Sequence, residues 1–184
     1  MTLYLIFLLL SSTSPDVCEV FKDKDFWLSP SKEKKVCRWM PEVIESSDRH
    51  DISPTLFAAL ITIESGWNHK VVSSANACGL TQVIPRYTGT ITKKYTCEQL
   101  KNPRTSIRAG TKILRWWIDW HTKNQPEIKY TDSEILERAL CSYNAGYRCG
   151  PIRRPIRAGM RYAKKVLTQK QNIERIYNEL KREL

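Results

Sequence analysis

From Ser53 to Ile63 the chain reads S-P-T-L-F-A-A-L-I-T-I, an uncharged run that ends in one carboxylate, Glu64, followed by Ser65-Gly66-Trp67. No other stretch restricts the fold as strongly. Ser53 is a residue type that caps helix N-termini, and Pro54 suits the first helical position, where its missing N–H would be unpaired anyway. Gly66 is the residue type that ends helices in the left-handed conformation. The spacing therefore predicts a helix running to about Ser65. A helix this apolar is built for burial, so the rest of the chain must pack around it.

The remaining sequence supplies helices for that packing. Glycine is scarce at seven residues, and β-branched alternation is rare. Helical spacing dominates instead. A polar segment from Cys18 to about Ser31 leads into an expected helix at Lys32–Ser47. Asn102-Pro103 opens a long helix from Arg104 to about His121, with Ile107, Ile113, Leu114, Trp117 and Ile118 on one face. Thr131-Asp132-Ser133-Glu134 has the form of a capping box ahead of I-L-E-R-A-L-C-S-Y-N-A-G. Pro155 to about Thr168 and Asn172 to Glu183 read as two further helices. Between Asn68 and Gly89 the chain is irregular, with a short helix expected near Val83–Tyr87. The 184 residues, 41% hydrophobic and 10% aromatic, suit one globular domain with a real core. The expected fold class is mainly α. Six Trp and eight Tyr are many for this length, and they serve either core packing or a sugar-stacking or interface surface.

Leu3–Leu10 is apolar but too short to span a bilayer, which needs roughly 20 apolar residues. It has the form of a signal-peptide core, with cleavage expected within Ser11–Ser14, although no Lys or Arg precedes it and no A-x-A site follows. Six cysteines agree with export to an oxidising compartment. No C-x-x-C pair is present, which argues against a zinc ribbon or thioredoxin-like chemistry. Sequential pairing (Cys18–Cys37, Cys78–Cys97, Cys141–Cys149) is the simplest expectation, because short loops close most readily. The formal charge is +11, and the whole excess lies after residue 100. Arg148, Arg153, Arg154, Arg157, Arg161, Lys164 and Lys165 form a basic segment with no acid among them. It is either a solvated surface or a surface that attracts a polyanion. His50, His69 and His121 lie far apart with no H-E-x-x-H spacing, and there is no Gly-rich phosphate loop. No metal and no cofactor are expected.

Glu64 is the candidate catalytic residue. The negative end of the helix dipole and the dryness of its helix both disfavour a charge there, so its pKa should rise. Raised to about 6, roughly one carboxyl in ten would hold its proton at neutral pH, which a general acid requires. The competing reading is a helix-end carboxylate paired with an Arg or Lys.

Three segments, in order, shift that balance. A-L-I-T-I-E-S-G-W-N, A-N-A-C-G-L-T-Q-V-I-P and A-L-C-S-Y-N-A-G resemble the SLT-type lytic transglycosylases of the lysozyme-like superfamily. The family pattern is a helix ending in Glu-Ser, a G-L-M-Q loop and an A-Y-N-A-G helix end. N-P-R-T-S-I-R-A-G-T-K-I-L resembles the family's segment before a long helix, and the resemblance extends over about Thr55–Leu167. It implies a single lysozyme-like helical domain with a substrate groove, assigned to residues 43–184; residues before about Val43 and after about Leu167 are not covered by it, and the apolar start reads separately as a signal peptide at 1–14 followed by an extension at 15–42. By the same resemblance Glu64 is the acid/base and Ser65 its neighbouring partner. Gly79, Leu80, Thr81 and Gln82 match the substrate-lining loop, and Tyr143 and Asn144 face the acid across the groove. Thr81 departs from the usual Met, and Ser142 from the usual Ala.

The implied reaction cleaves the β-1,4 bond between N-acetylmuramic acid and N-acetylglucosamine in peptidoglycan and closes a 1,6-anhydro ring. One Glu acts as acid and then as base, whereas most glycosidases use two carboxylates. Neither the G-L-T-Q loop nor Y-N-A-G contains an acid. Asp51, read as lying on the helix of Glu64, and Glu98 are not placed to supply a second carboxyl. Tyr143 is the expected hydrogen-bond partner of Glu64. The alternatives are a goose-type-like muramidase that hydrolyses the same bond and a non-catalytic wall-binding protein. A nucleic-acid partner is not expected. The implied setting is the periplasm, cell envelope or secreted medium, or a phage-borne enzyme acting on a host envelope. The expected partners are peptidoglycan strands, with anionic wall polymers drawn to Arg148–Lys165, and the expected state is a monomer with no stable membrane span.

Overall fold

The computed structural model describes residues 18–22, 30–124, 129–150 and 155–183. The expected signal peptide lies outside them. Six α-helices are present among the described residues: α1 (Pro30–Arg49), α2 (Pro54–Ser65), α3 (Cys97–Leu100), α4 (Pro103–Lys123), α5 (Asp132–Ala145) and α6 (Arg157–Arg182). The only β-structure among them is two isolated bridges, Val72 with Cys78 and Cys78 with Val83. The chain is thus mainly α, and no helix among the described residues is long and apolar enough to cross a membrane.

α2 is the centre of the fold. Ser53 caps it by accepting from the Leu56 N–H, Pro54 opens it, and Gly66 ends it with φ 53° and ψ 38°. In that left-handed conformation the Gly66 N–H reaches the Thr62 carbonyl, and a Cβ there would be strained. Leu56 to Ile61 are all buried, consistent with an uncharged helix that must be covered on every side. α1 and α6 pack against it, and α5 bridges α4 and α6. The main core combines Phe57, Leu60 and Ile61 of α2 with Val36, Met40 and Val43 of α1, Leu114 of α4, Leu140 of α5 and Val166 of α6.

Polar ties fix the outer helices. Glu42 of α1 is nearly buried and accepts from Arg104 Nε at 2.9 Å and Arg108 Nε at 2.7 Å, both on α4. A buried carboxylate needs such partners, because an unpaired charge there would be strongly destabilising. Ser46 and Thr111 share a buried hydroxyl bond at 2.7 Å between the same helices. The three disulfides join Cys18–Cys37, Cys78–Cys97 and Cys141–Cys149, the sequential pairing.

Several sequence expectations change. Residues 155–183 hold one continuous helix, α6, where two were expected. Nothing around Thr168–Asn172 breaks a helix, since neither Gly nor Pro occurs there. Lys170 and Glu174 pair one turn apart across the supposed gap, and Glu174 also accepts from Thr55 Oγ1 at 2.9 Å. That bond ties the middle of α6 to the start of α2. The segment after Cys18, read as polar, buries Val20 and Phe21 completely, and Phe21 meets Trp67 edge-on. Asp51 lies before the Ser53 cap rather than on α2, exposed and with φ 50°. α3 escaped the sequence reading although Thr96 and Gln99 form a complete capping box.

Candidate active site

Gly66 turns the chain away and leaves Glu64 partly exposed at the end of α2. The Tyr162 hydroxyl, from α6, donates to Glu64 Oε1 at 2.6 Å. Burial pushes the Glu64 carboxyl up from its ordinary 4.5 to about 7, while the Tyr162 bond pulls in the opposite direction by favouring the carboxylate. About half of such carboxyls hold a proton at neutral pH, against well under 1% for an ordinary Glu. The Tyr162 phenol is itself raised well above its ordinary value, by burial and then by the negative charge of Glu64. It therefore stays a donor across the physiological range.

Tyr143 occupies a different place from the one expected. Its hydroxyl donates to the Thr81 carbonyl at 2.8 Å rather than to Glu64. Burial and the nearby charge of Glu64 both raise its pKa. Tyr143 thus ties α5 to the G-L-T-Q loop beside the acid. Tyr162 was missed because its partner lies 98 residues away and its surroundings read as a basic amphipathic helix. Its only local signal was a place on the apolar face formed by Gly159, Tyr162, Ala163 and Val166.

The loop from Gly79 to Gln82 is built mainly from within. Gly79 has φ 77° and donates to the Val71 carbonyl, and a Cβ there would stand 1.9 Å from the Leu100 carbonyl oxygen. Only glycine fits that approach. Leu80 is wholly buried in the main core, so its side chain does not line a groove. Thr81 is also wholly buried: its hydroxyl donates to the Ser106 carbonyl at 2.8 Å, and its N–H donates to Ser106 Oγ at 3.1 Å. Position 81 thus anchors the loop to α4, which explains a hydroxyl where the resembled pattern has Met. Gln82, at φ 49°, donates its amide to the Gly79 carbonyl at 2.9 Å and the Val71 carbonyl at 3.3 Å. Ser65 returns its hydroxyl to the Ile61 carbonyl at 3.3 Å, and Asn144 is exposed at the end of α5. The fold therefore gathers Glu64, Tyr162, Tyr143 and the Thr81 carbonyl, while Leu80 and Thr81 support them from behind.

Among the described residues no second carboxylate contributes to the state of Glu64, which is set by burial and Tyr162. Glu98 is largely exposed and pairs with Lys101, and Asp51 lies near Arg115. Among the described residues, no group of three or more His, Cys, Asp or Glu side chains gathers as a metal site would require.

The fold has known counterparts. Lytic transglycosylase Slt of Pseudomonas aeruginosa, in an inactive mutant, superposes with a TM-score of 0.61 over 75% of this chain and 24% of that one, at 18% identity. The 70 kDa soluble lytic transglycosylase of Escherichia coli gives 0.56 over 73% and 24%, at 22% identity. These likenesses define the fold as lysozyme-like. The model of the Transglycosylase SLT domain family matches residues 42–168, and the chain belongs to that family. Endo-type membrane-bound lytic murein transglycosylase A of Cronobacter sakazakii is 32% identical over 116 residues, covering 59% of this chain and 55% of that protein. The protein of the same name from an Enterobacter species is 37% identical over 89 residues, covering 44% and 43%. The chain thus spans about half the length of the curated relatives it matches.

Proposed function

We propose that the protein is a peptidoglycan lytic transglycosylase that cleaves the β-1,4 bond between N-acetylmuramic acid and N-acetylglucosamine and leaves a 1,6-anhydro muramic acid end. The observation that carries this reading is a single half-buried carboxyl, poised at about 7 and held by one tyrosine hydroxyl at 2.6 Å. Membership of the SLT family supports it, as do relatives named lytic murein transglycosylases.

Glu64 starts protonated and gives its proton to the bridging oxygen as the glycosidic bond breaks. Positive charge develops on the sugar ring, and the new carboxylate faces it from its partly buried position. Tyr162 stabilises that carboxylate by donating to it. Glu64 then takes the proton from the muramic acid 6-hydroxyl, whose oxygen closes onto C1. The acceptor of the second step belongs to the substrate, so no second protein carboxylate is required. Ser65, Gln82, Tyr143 and Asn144 border the bound sugars, and Gly79, itself buried, gives the loop its close approach to Leu100. Leu80 and Thr81 hold the loop in place rather than contact sugar.

The catalytic domain occupies residues 43–184 and works as a monomer outside the cytoplasm, where its three disulfides persist. The exposed cations of the Arg148–Lys165 segment add long-range attraction to anionic wall polymers; Arg153 and Arg154 of that segment lie outside the described residues. Mass spectrometry of soluble products from purified peptidoglycan tests the chemistry. The expected product is one water lighter than the hydrolytic one, and it disappears with Glu64→Gln. A product of hydrolytic mass assigns the domain to the muramidases. Unchanged lysis by the Gln variant removes Glu64 from the mechanism.

A further inference from the structure

Cys141, Ser142 and Tyr143 are consecutive on α5, and each ties that helix to a different neighbour. Tyr143 donates to the Thr81 carbonyl at 2.8 Å. Ser142 Oγ and His121 Nε2 of α4 share a buried hydrogen bond at 2.8 Å. Cys141 is bridged to Cys149, at the end of a short 3-10 helix (Gly146–Cys149). Both cysteines are wholly buried, and α6 lies directly on their bridge. A Cβ at Gly159 would stand 2.5 Å from Cys141 Sγ and 2.9 Å from Cys149 Sγ. No side chain fits in that space, so only glycine lets α6 sit so close to α5.

Gly159 and Tyr162 lie about one turn apart on the same face of α6. The bridge therefore supports the helix about 4.5 Å along its axis from the tyrosine that holds Glu64. Little else fixes these first turns. Ile156, at the start of α6, gives no side-chain cap. The bond between Glu174 and Thr55 lies about 18 Å further along the axis than Tyr162. Buried Ala163 and Val166 press the helix onto the core, but apolar burial is non-directional. The 2.6 Å bond from Tyr162 to Glu64 is directional and weakens with small displacements.

We infer that the Cys141–Cys149 bridge and Gly159 form a positioning unit for the acid, setting α6 at the height where the Tyr162 hydroxyl meets Glu64. This rests on the reading of Glu64 as the acid and adds three residues that act through Tyr162. The crossing of α6 over α2 comes from the whole core, and the bridge supplies the last adjustment at the tyrosine. A methyl inserted at Gly159, or loss of the two sulfurs, shifts Tyr162 relative to α2. Such a shift breaks a short-range bond, whereas the burial of Glu64 is spread over many neighbours and changes little. Burial raises the Glu64 pKa and the Tyr162 bond lowers it, so losing the bond moves the titration upward. The other titratable group in the field of Glu64 is Tyr143 of α5, which stays neutral and bound to the Thr81 carbonyl. Arg161, Lys164 and Lys165 of α6 line the open side of Ile63 and take no part in setting the acid.

Carbon-13 NMR of the full chain, labelled at the glutamate side-chain carboxyls, reads Glu64 directly, its signal identified by its loss in Glu64→Gln. Gly159→Ala, and separately Cys141→Ala with Cys149→Ala, should raise the Glu64 midpoint by about one unit, the scale of one hydrogen bond to a charged group. Tyr162→Phe should raise it as far, and in that background neither change should add a further shift. Thr111→Val is the control: it removes a buried hydroxyl bond between α1 and α4 and should lower stability without moving the midpoint. Circular dichroism and melting establish that each variant is folded. Gly159→Ala keeps all three disulfides, and where one of the two variants does not fold the other decides. An unmoved midpoint in the folded variant overturns the positioning role. So does a shift that persists in full beside Tyr162→Phe, or an equal shift in Thr111→Val. In lysis assays kcat should fall while KM holds, and a change in KM alone counts against the unit. Absence of lysis by the wild-type chain refutes the proposed chemistry, whereas the NMR titration judges the bridge by itself.

Discussion

Replacing Glu64 by Gln should make the fold more stable than wild type at alkaline pH, with an advantage that follows a defined pH course. The carboxyl titrates near 7 in the folded protein, against an ordinary 4.5. At 1.36 kcal/mol per pKa unit, ionising it in place disfavours the fold by about 3 kcal/mol, or about 2 kcal/mol after allowance for its partial exposure. Below about 4.5 both folded and unfolded chains are protonated, and Glu64 contributes its full stability. Between about 4.5 and 7 the unfolded chain ionises while the folded chain keeps its proton, so wild-type stability falls as pH rises. Above about 7 both are ionised and the loss levels off. Gln stays neutral throughout. The stability difference between Gln and wild type should therefore be flat at low pH, grow through that window and plateau. Urea unfolding with intact disulfides, followed by circular dichroism from about pH 4 to about pH 9, measures the difference, and titrations common to both proteins cancel. A difference that does not change with pH would refute the reasoning, as would a Gln variant that loses ground when pH rises. The same titration should appear in activity, which declines as Glu64 loses its proton above about 7.

Three further outcomes follow from the geometry. Tyr162→Phe removes the bond that favours the Glu64 carboxylate, so the alkaline limb of the pH–rate profile should move upward and the maximal rate should fall; an unmoved limb would dissociate Tyr162 from the acid. Gly79→Ala forces a Cβ against the Leu100 carbonyl at positive φ and should destabilise the fold by at least about 2 kcal/mol in urea unfolding, with wild-type stability contradicting the close approach. Thr81→Val keeps the shape but loses the hydroxyl bonds to Ser106, which should lower stability by about 1–2 kcal/mol in the same assay; an unchanged midpoint would argue against Thr81 as the loop's anchor.

Local signals were legible because they act within one turn of chain. Ser53, Pro54 and Gly66 delimit α2, Asn102 opens α4, and Thr131 with Glu134 caps α5, all at the expected residues. The order Glu-Ser, G-L-T-Q, Y-N-A-G was equally readable, and with it the family. Long-range placement was not. Thr81 looked like a groove residue until its hydroxyl was found facing Ser106, 25 positions away. Val20 and Phe21 belong to a segment that reads as polar in sequence, yet helix packing closes over them.

The sequence by itself determined that a dry helix ends in one carboxylate with no neighbouring acid, because an uncharged run between a cap and a glycine has one low-energy form. For the cysteines it offered sequential pairing as the simplest of many connectivities, and the structure carries that pairing. Only the tertiary structure decided which group holds that carboxylate. Tyr143, near the acid in the sequence pattern, spends its hydroxyl on the Thr81 carbonyl, while Tyr162 reaches Glu64 from a helix that sequence spacing had split in two. A hydrogen bond is settled within a few tenths of an ångström. Its partner depends on how α6 crosses α2, and that crossing is fixed by contacts spread over the whole core.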